Sequence, residues 1–244
     1  MSDGSTTITW LGHGTFCITT PEGKKLVIDP WMNGNPAFPS DWQTKLDDTA
    51  AIVLTHGHFD HVNDLATLAT TSDAQVVGIF DLAAWLTKNG IAEDKFVGFN
   101  KGGTVEVAGV KITMTTAHHS SSIAGDDGLP QYLGDPCGYV MRFSDGCVVY
   151  HTGDTAVHMD MQLMGELYKP DVVILPIGDH FTMDPFQAAH ALRLIGAKAA
   201  IPEHYGTFPI LKGTPDELRA ELKKLGVTCE VADIKAGESW TYKK

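Results

Sequence analysis

The stretch Thr55-His56-Gly57-His58-Phe59-Asp60-His61 places three imidazoles and a carboxylate within six positions of one another, directly after the apolar run Ala50–Leu54. These side chains are ligands for divalent metal ions: imidazole nitrogen suits zinc-like ions, and a carboxylate adds charge neutralisation and a harder oxygen. A turn after a buried strand would normally use neutral turn chemistry or Asp. Four ligand-type side chains beside an apolar strand are costly to place unless they bind something, so the stretch reads as a metal site. On an extended segment His56 and His58 point to the same side and can grip one ion together. Asp60 and His61 follow as the chain bends into an expected helix, Val62–Thr71, and are better placed to reach a second ion.

The elements that must hold such a site can be read in order. Thr6–Leu11 alternates as a strand, Gly12-His13-Gly14 breaks it, and strands at Thr15–Thr20 and Lys25–Asp29 flank a turn at Pro21–Lys24. His13, between two glycines, divides evenly between a core histidine and a place at the site mouth. Asp29, ending its strand before Pro30, is either a turn former or a carboxylate that orients a ligand imidazole. Trp31–Asp48 carries Pro36, Pro39 and Asn-Gly without periodicity and reads as a surface excursion, either a lid or a wall of the pocket.

After the His-rich stretch, strands at Gln75–Ile79 and Lys95–Phe99 alternate with a helix at Leu82–Asn89, which is α/β layering. The pattern then becomes a β-meander, with strands at Gly103–Val107, Val110–Thr116, Gly138–Phe143 and Cys147–His151, and a long loop expected over Ser120–Pro136. The last third returns to α/β. A helix at Met161–Tyr168 leads to strand Asp171–Pro176, and Asp184 caps a helix beginning at Pro185. Strand Ala199–Pro202 follows. Thr214-Pro215-Asp216-Glu217 is a capping box opening a helix to Leu225, stopped by Gly226, before strands at Thr228–Ile234 and Ser239–Tyr242. No interior segment reads as a linker and no fixed-period repeat is visible, so residues 1–244 are expected to form one domain.

Composition narrows the partners. The 244 residues carry a net charge of −12, which argues against nucleic acid as the main partner. No apolar run has the length of a membrane span, and Met1–Thr6 is polar without a signal-peptide core, so the expected location is cytoplasmic. Cys17, Cys137, Cys147 and Cys229 show no C-x-x-C pairing and fit reduced thiols.

Ligand-type residues recur at strand ends: the His56–His61 group, then Ala117-His118-His119-Ser120, then His151-Thr152-Gly153-Asp154-Thr155, then Pro202-Glu203-His204-Tyr205. That order, an H-x-H-x-D-H loop followed by a third His, an Asp and a final His, resembles the metallo-β-lactamase superfamily. Trp10-Leu11-Gly12-His13, Ile28-Asp29-Pro30 and the stretch from Leu175 to Met183 are similar to its small metal-dependent hydrolase branch related to L-ascorbate-6-phosphate lactonase. The resemblance implies the α/β fold of that family, a four-layer αββα sandwich. It also implies His56, His58 and His119 on one ion, Asp60, His61 and His204 on a second, and Asp154 bridging both. His118 competes with His119 for its place, and His119 is preferred because Ser120 follows it.

The implied chemistry is hydrolysis of a small ester, lactone or phosphoester by two divalent ions sharing a water, with Asp60 as the catalytic carboxylate that accepts a hydrogen bond from that water. Zinc suits the imidazoles, while the carboxylates leave manganese, iron or nickel open. Asp179, His180 and Tyr205 are candidate substrate or supporting groups, whereas His158 and His190 read as packing or surface residues. Two alternatives stand beside this reading: a nucleic-acid phosphodiesterase, which the acidic charge disfavours, and a non-catalytic metal-binding module.

Overall fold

The computed structural model describes residues 4–243; Met1–Asp3, part of the polar N-terminal stretch, and Lys244 lie outside the described residues. The first half of the chain runs β1 (Thr7–Trp10), β2 (Phe16–Thr19), β3 (Lys25–Ile28), β4 (Thr49–Val53), α1 (Phe59–Val62), α2 (Leu65–Ser72), β5 (Gln75–Ile79), α3 (Ala83–Lys88) and β6 (Phe96–Phe99). The second half runs β7 (Thr104–Val107), β8 (Val110–Thr116), β9 (Ser122–Ala124), β10 (Pro130–Tyr132), β11 (Cys137–Arg142), β12 (Val148–His151), α4 (Asp160–Tyr168), β13 (Val172–Pro176), α5 (Pro185–Ile195), β14 (Ala199–Glu203), α6 (Pro215–Leu225), β15 (Glu230–Val231) and β16 (Ser239–Thr241).

Two seven-stranded sheets result, ordered β16-β1-β2-β3-β4-β5-β6 and β15-β14-β13-β12-β11-β8-β7. Each is antiparallel at one end and parallel at the other. β3 to β6 pair in parallel in the first sheet, as do β12 to β15 in the second. Every parallel connection except β3 to β4 carries an α-helix, and the central parallel strands β4 and β13 are almost wholly buried, which explains why they read as unbroken apolar runs. Both halves therefore share one arrangement, although no repeat is visible in the residues.

The core follows from this layering. Ile8, Phe16, Ile18 and Leu26 of the first sheet belong to one buried cluster with Ile112, Tyr139 and Met141 of the second. A second cluster joins the outer face of β12 to β14, through Tyr150, Val173 and Ala200, to α4, α5 and α6, through Met161, Leu192 and Leu218. Each fully buried Leu, Ile or Phe contributes roughly 1.5–3 kcal/mol relative to exposure. The α/β sandwich expected from the sequence is the architecture observed.

Three elements differ from expectation. The single helix expected at Val62–Thr71 is two: α1 starts earlier, at Phe59, and the chain breaks at Asn63-Asp64 before α2. The break arises because the Asp64 carboxylate accepts hydrogen bonds from the Met32 and Asn33 backbone N–H groups, at 2.6 and 2.8 Å, instead of capping α2. The Ser120–Pro136 loop contains the two-stranded ribbon of β9 and β10. The strand expected over Thr228–Ile234 is reduced to the two residues of β15, which pair only with β14. The Trp31–Asp48 excursion is anchored to the body of the fold, since Trp31, Met32, Asn35 and Leu46 are buried and Asn35 Nδ2 donates to the Gly12 and Trp31 carbonyls.

Candidate metal centre

The site is assembled at the ends of β4 in the first sheet and of β8, β12 and β14 in the second, which open toward the same cavity. Beyond β4, the Thr55 backbone N–H donates to Asp29 Oδ1 at 2.8 Å and its hydroxyl donates to Asp29 Oδ2. With its proton committed to Asp29, Thr55 Oγ1 accepts from His56 Nδ1 at 3.0 Å, which leaves the lone pair of His56 on Nε2. Asp60 and His61 lie in the single turn of α1, with His58 as its N-terminal flank.

On the second half, Gly153 carries the chain from β12 to Asp154 with φ of +64°. A Cβ there would sit 2.4 Å from the Cys137 carbonyl oxygen, so only glycine permits both the left-handed turn and the approach. His204 leaves β14 with φ of +54°, and His13 and Asp29 have φ of +55° and +47°. Three non-glycine residues at the site are thus held in the left-handed region, a concentration of backbone strain typical of functional sites.

Asp154 Oδ2 is the centre of the cluster. It lies 3.0 Å from His204 Nε2, 3.5 Å from His61 Nε2, 3.7 Å from His119 Nε2 and 3.9 Å from His56 Nε2. Donor atoms within 4.8 Å of one another form three groups: His56, His58 and His119 on one flank, His13, Asp60, His61 and His204 on the other, and Asp29 with His56 and His61, which shares one histidine with each flank. His13 joins through a 2.9 Å contact between its Nε2 and Asp60 Oδ2 and is fully buried, so the structure places it inside the cluster.

The electrostatics reflect crowding of like groups. Burial drives His56 well below the ordinary imidazole range and His13 down to about 4. Burial also acts against the charged form of His204, but the Asp154 carboxylate outweighs it and raises His204 to about 9. Asp154 is itself opposed by burial, yet the neighbouring His204 and His61 hold its carboxyl well below the usual range. The donor set fits a bound cation. His61 Nε2, His204 Nδ1, His13 Nδ1 and Asp154 Oδ1 are all buried without a hydrogen-bond partner, a concentration of orphaned atoms that neutral packing does not explain.

Residues 24–205 match the family described as "Beta-lactamase superfamily domain". The UPF0173 metal-dependent hydrolase of Herpetosiphon aurantiacus is 57% identical over 238 residues, covering 98% of both chains. The chain belongs to the β-lactamase superfamily. Within it, the chain is one of the UPF0173 metal-dependent hydrolases, since the Chloroflexus aurantiacus member is also similar, at 60% identity over 234 residues and 96% of both chains. Among solved structures, Igni18, a metallo hydrolase from the archaeon Ignicoccus hospitalis, superposes with a TM-score of 0.85 at 34% identity, over 98% of this chain and 99% of that one.

In this superfamily member, several of the sequence-derived candidates sit outside the cluster. His118 is exposed and stacks on His158, with ring centroids 4.5 Å apart, while His119 turns inward, because successive residues leaving β8 face opposite ways. Asp179 and His180 are exposed at the rim, and Asp179 borders a separate hollow with Asp184 and Lys212. Tyr205 stacks on Trp10 at 5.3 Å, and His190 packs against Phe186. Asp29 lies against His61, Nδ1 to Oδ2 at 2.8 Å.

Sequence reasoning overlooked the mouth of the site. Phe59, Ser120 and Phe181 line the cavity of about 340 Å³ above His58, Asp60 and His204. Phe59 lay inside the recognised motif and Phe181 inside a stretch noted for its resemblance, but an aromatic carries no signal of which way it faces. Also overlooked was the fully buried pair His151 and Glu203, 3.6 Å apart beneath Asp154 and His204.

Proposed function

We propose that this chain, acting as a single domain, is a binuclear metal-dependent hydrolase of small ester, lactone or phosphoester substrates. The observation that carries the proposal is the position of Asp154 Oδ2 between two ligand groups, His56, His58 and His119 on one side and Asp60, His61 and His204 on the other. When bound, two divalent ions, zinc in the first instance, supply Lewis acidity and a hydroxide nucleophile near neutral pH. The protein's own residues do the rest. Thr55 and Asp29 hold His56 and His61 in the tautomers that present Nε2 inward. Asp60 accepts a hydrogen bond from the attacking water and holds its orientation, with His13 fixing the Asp60 carboxylate at 2.9 Å.

The cavity opens over Asp60, His119 and His204, so a substrate carbonyl or phosphoryl group can reach the donor atoms directly. The free cysteines Cys17, Cys137 and Cys147, all buried, support a reducing, cytoplasmic setting.

Elemental analysis of protein purified without added metal tests the reading, with about two equivalents per chain expected. No bound metal, even after zinc or manganese is supplied at neutral pH, would overturn it. Asp60→Ala separates catalysis from mere binding: ester turnover is lost while the far-ultraviolet spectrum is retained. A metal-binding module without catalytic function would show no turnover to lose.

A further inference from the structure

The mouth of the candidate centre has a composition of its own. Phe59, from α1, and Phe181, from the loop after β13, come from the two halves of the chain and both line the cavity, although they remain 54% and 57% exposed. Two large aromatic rings left open to water in the cavity that the ligand cluster also lines are an unfilled apolar surface. The surface continues inward from Phe59, whose ring meets the edge of Trp31 at 5.7 Å, and Trp31 in turn stacks on Phe208 at 5.8 Å. Ser120 is the one neutral polar side chain among the described lining residues, and its hydroxyl lies 3.3 Å from His58 Nε2.

No lysine or arginine is among the described residues that line this cavity. The whole chain carries a net charge of −12. Two divalent ions bound at the ligand cluster would themselves meet the charge of a phosphoryl group, so the missing Arg and Lys bear on the outer cavity, where a charged substituent taken out of water would find no partner. A neutral acyl group has the opposite requirement. It needs an apolar wall, which this cavity has.

We infer that this site takes neutral carboxylic esters or lactones with an apolar acyl chain, the chain lying between Phe59 and Phe181, in preference to phosphoesters that carry no chain to fill that space. The inference rests on the hydrolase reading above and narrows it. In the reaction, water oxygen bonds to the acyl carbon, the ester carbon–oxygen bond breaks, and the leaving oxygen takes up a proton, giving a carboxylic acid and an alcohol from an ester, or one hydroxy acid from a lactone. In this assignment Phe59 and Phe181 determine specificity through contact with the acyl chain.

The test uses the full chain loaded with zinc and five chromogenic substrates: 4-nitrophenyl acetate, butyrate and hexanoate, 4-nitrophenyl phosphate and bis(4-nitrophenyl) phosphate. Binding of acetohydroxamate and hexanohydroxamate, followed by calorimetry, provides a readout independent of turnover. The expected result is a rise in kcat/KM of roughly three- to fourfold per methylene buried, carried by KM, with both phosphoesters poorer than the hexanoate. Hexanohydroxamate should bind more tightly than acetohydroxamate in the same progression. Phe181→Ala should flatten both chain-length series, and Phe181→Leu should restore much of the slope. A phosphoester outrunning the hexanoate ester overturns the substrate class while leaving the hydrolase reading in place. Turnover of none of the five, with two metals bound, overturns the ester and phosphoester assignments, and a flat hydroxamate series overturns the apolar pocket whether or not anything turns over.

Discussion

His61 Nδ1 donates to Asp29 Oδ2 at 2.8 Å, and both side chains are buried, so the imidazole that faces Asp154 is aimed from behind by a carboxylate on a different strand end. The same carboxylate reaches His56 through the Thr55 hydroxyl. One residue therefore sets the tautomer of two candidate ligands in the two flanking groups.

Asp29→Asn keeps the shape of the side chain but removes the charge and offers the His61 Nδ1–H an amide that can meet it with its donor face. Metal affinity should fall about 10- to 100-fold. Competition with a chromogenic chelator measures this, and circular dichroism checks that the fold persists. Unchanged affinity would mean that His61 is oriented by its other neighbours alone.

The metal-free protein should be most stable near pH 6.5. His204, raised to about 9 by Asp154 against the opposing effect of burial, contributes stability that is complete below its unfolded value of 6.5 and is lost as pH rises through 9. His13 and His151, lowered to about 4 chiefly by burial, contribute stability that is present above 6.5 and lost as pH falls toward 4. Urea midpoints of chelator-treated protein at pH 4.5, 6.5 and 9 should pass through a maximum at the middle value. A monotonic trend contradicts this assignment of charges.

Binding of metal must displace the proton that His204 holds below about pH 9. At pH 7 loading should therefore release protons, and affinity should climb as pH is raised toward 9. Calorimetry in buffers of different ionisation enthalpy reads the proton count directly.

Gly153→Ala places a methyl group 2.4 Å from the Cys137 carbonyl oxygen at a residue with φ of +64°. A destabilisation on the order of 2–3 kcal/mol is expected, with loss of bound metal as Asp154 shifts. Denaturant midpoints and metal content should move together.

Thr214→Ala is the contrasting control. The Thr214 hydroxyl accepts from the Glu217 N–H and the Glu217 carboxylate accepts from the Thr214 N–H, a complete capping box at the start of α6, away from the ligand cluster. Its loss should cost about 1 kcal/mol, seen as a fall in Tm of roughly 2–4 °C, with metal content unaltered.

Much of this was legible in the residues because it is local. The ligand spacing from His56 to His61, the caps at Asp184 and Thr214, and the apolar runs of β4 and β13 are set by neighbours a few positions away, and the structure has them where the pattern places them. The split of the expected Val62–Thr71 helix was not legible. It depends on Asp64 finding the backbone N–H groups of Met32 and Asn33, 32 and 31 positions away. The same holds for β15, whose length is decided by how far β14 offers it a partner.

His118 and His119 mark the boundary most clearly. Residue type and spacing determined that a third imidazole leaves the end of β8, because both positions carry one. Which of them enters the cluster was decided by tertiary structure: the hydrogen bond from the His118 backbone N–H to Thr155 Oγ1 fixes the path of the chain, so that His118 stacks on His158 and His119 faces Asp154. The sequence by itself determined the donor types, their order along the chain and the strands that end beside them, all of which follow from short-range pattern. Only the tertiary structure decided that His13 lies against Asp60, that Asp29 stands behind both His56 and His61, and that Phe59 and Phe181 share one cavity. Those relationships join residues from separate strands or separate sheets, and side-chain direction across such distances is set by packing, which no local period encodes.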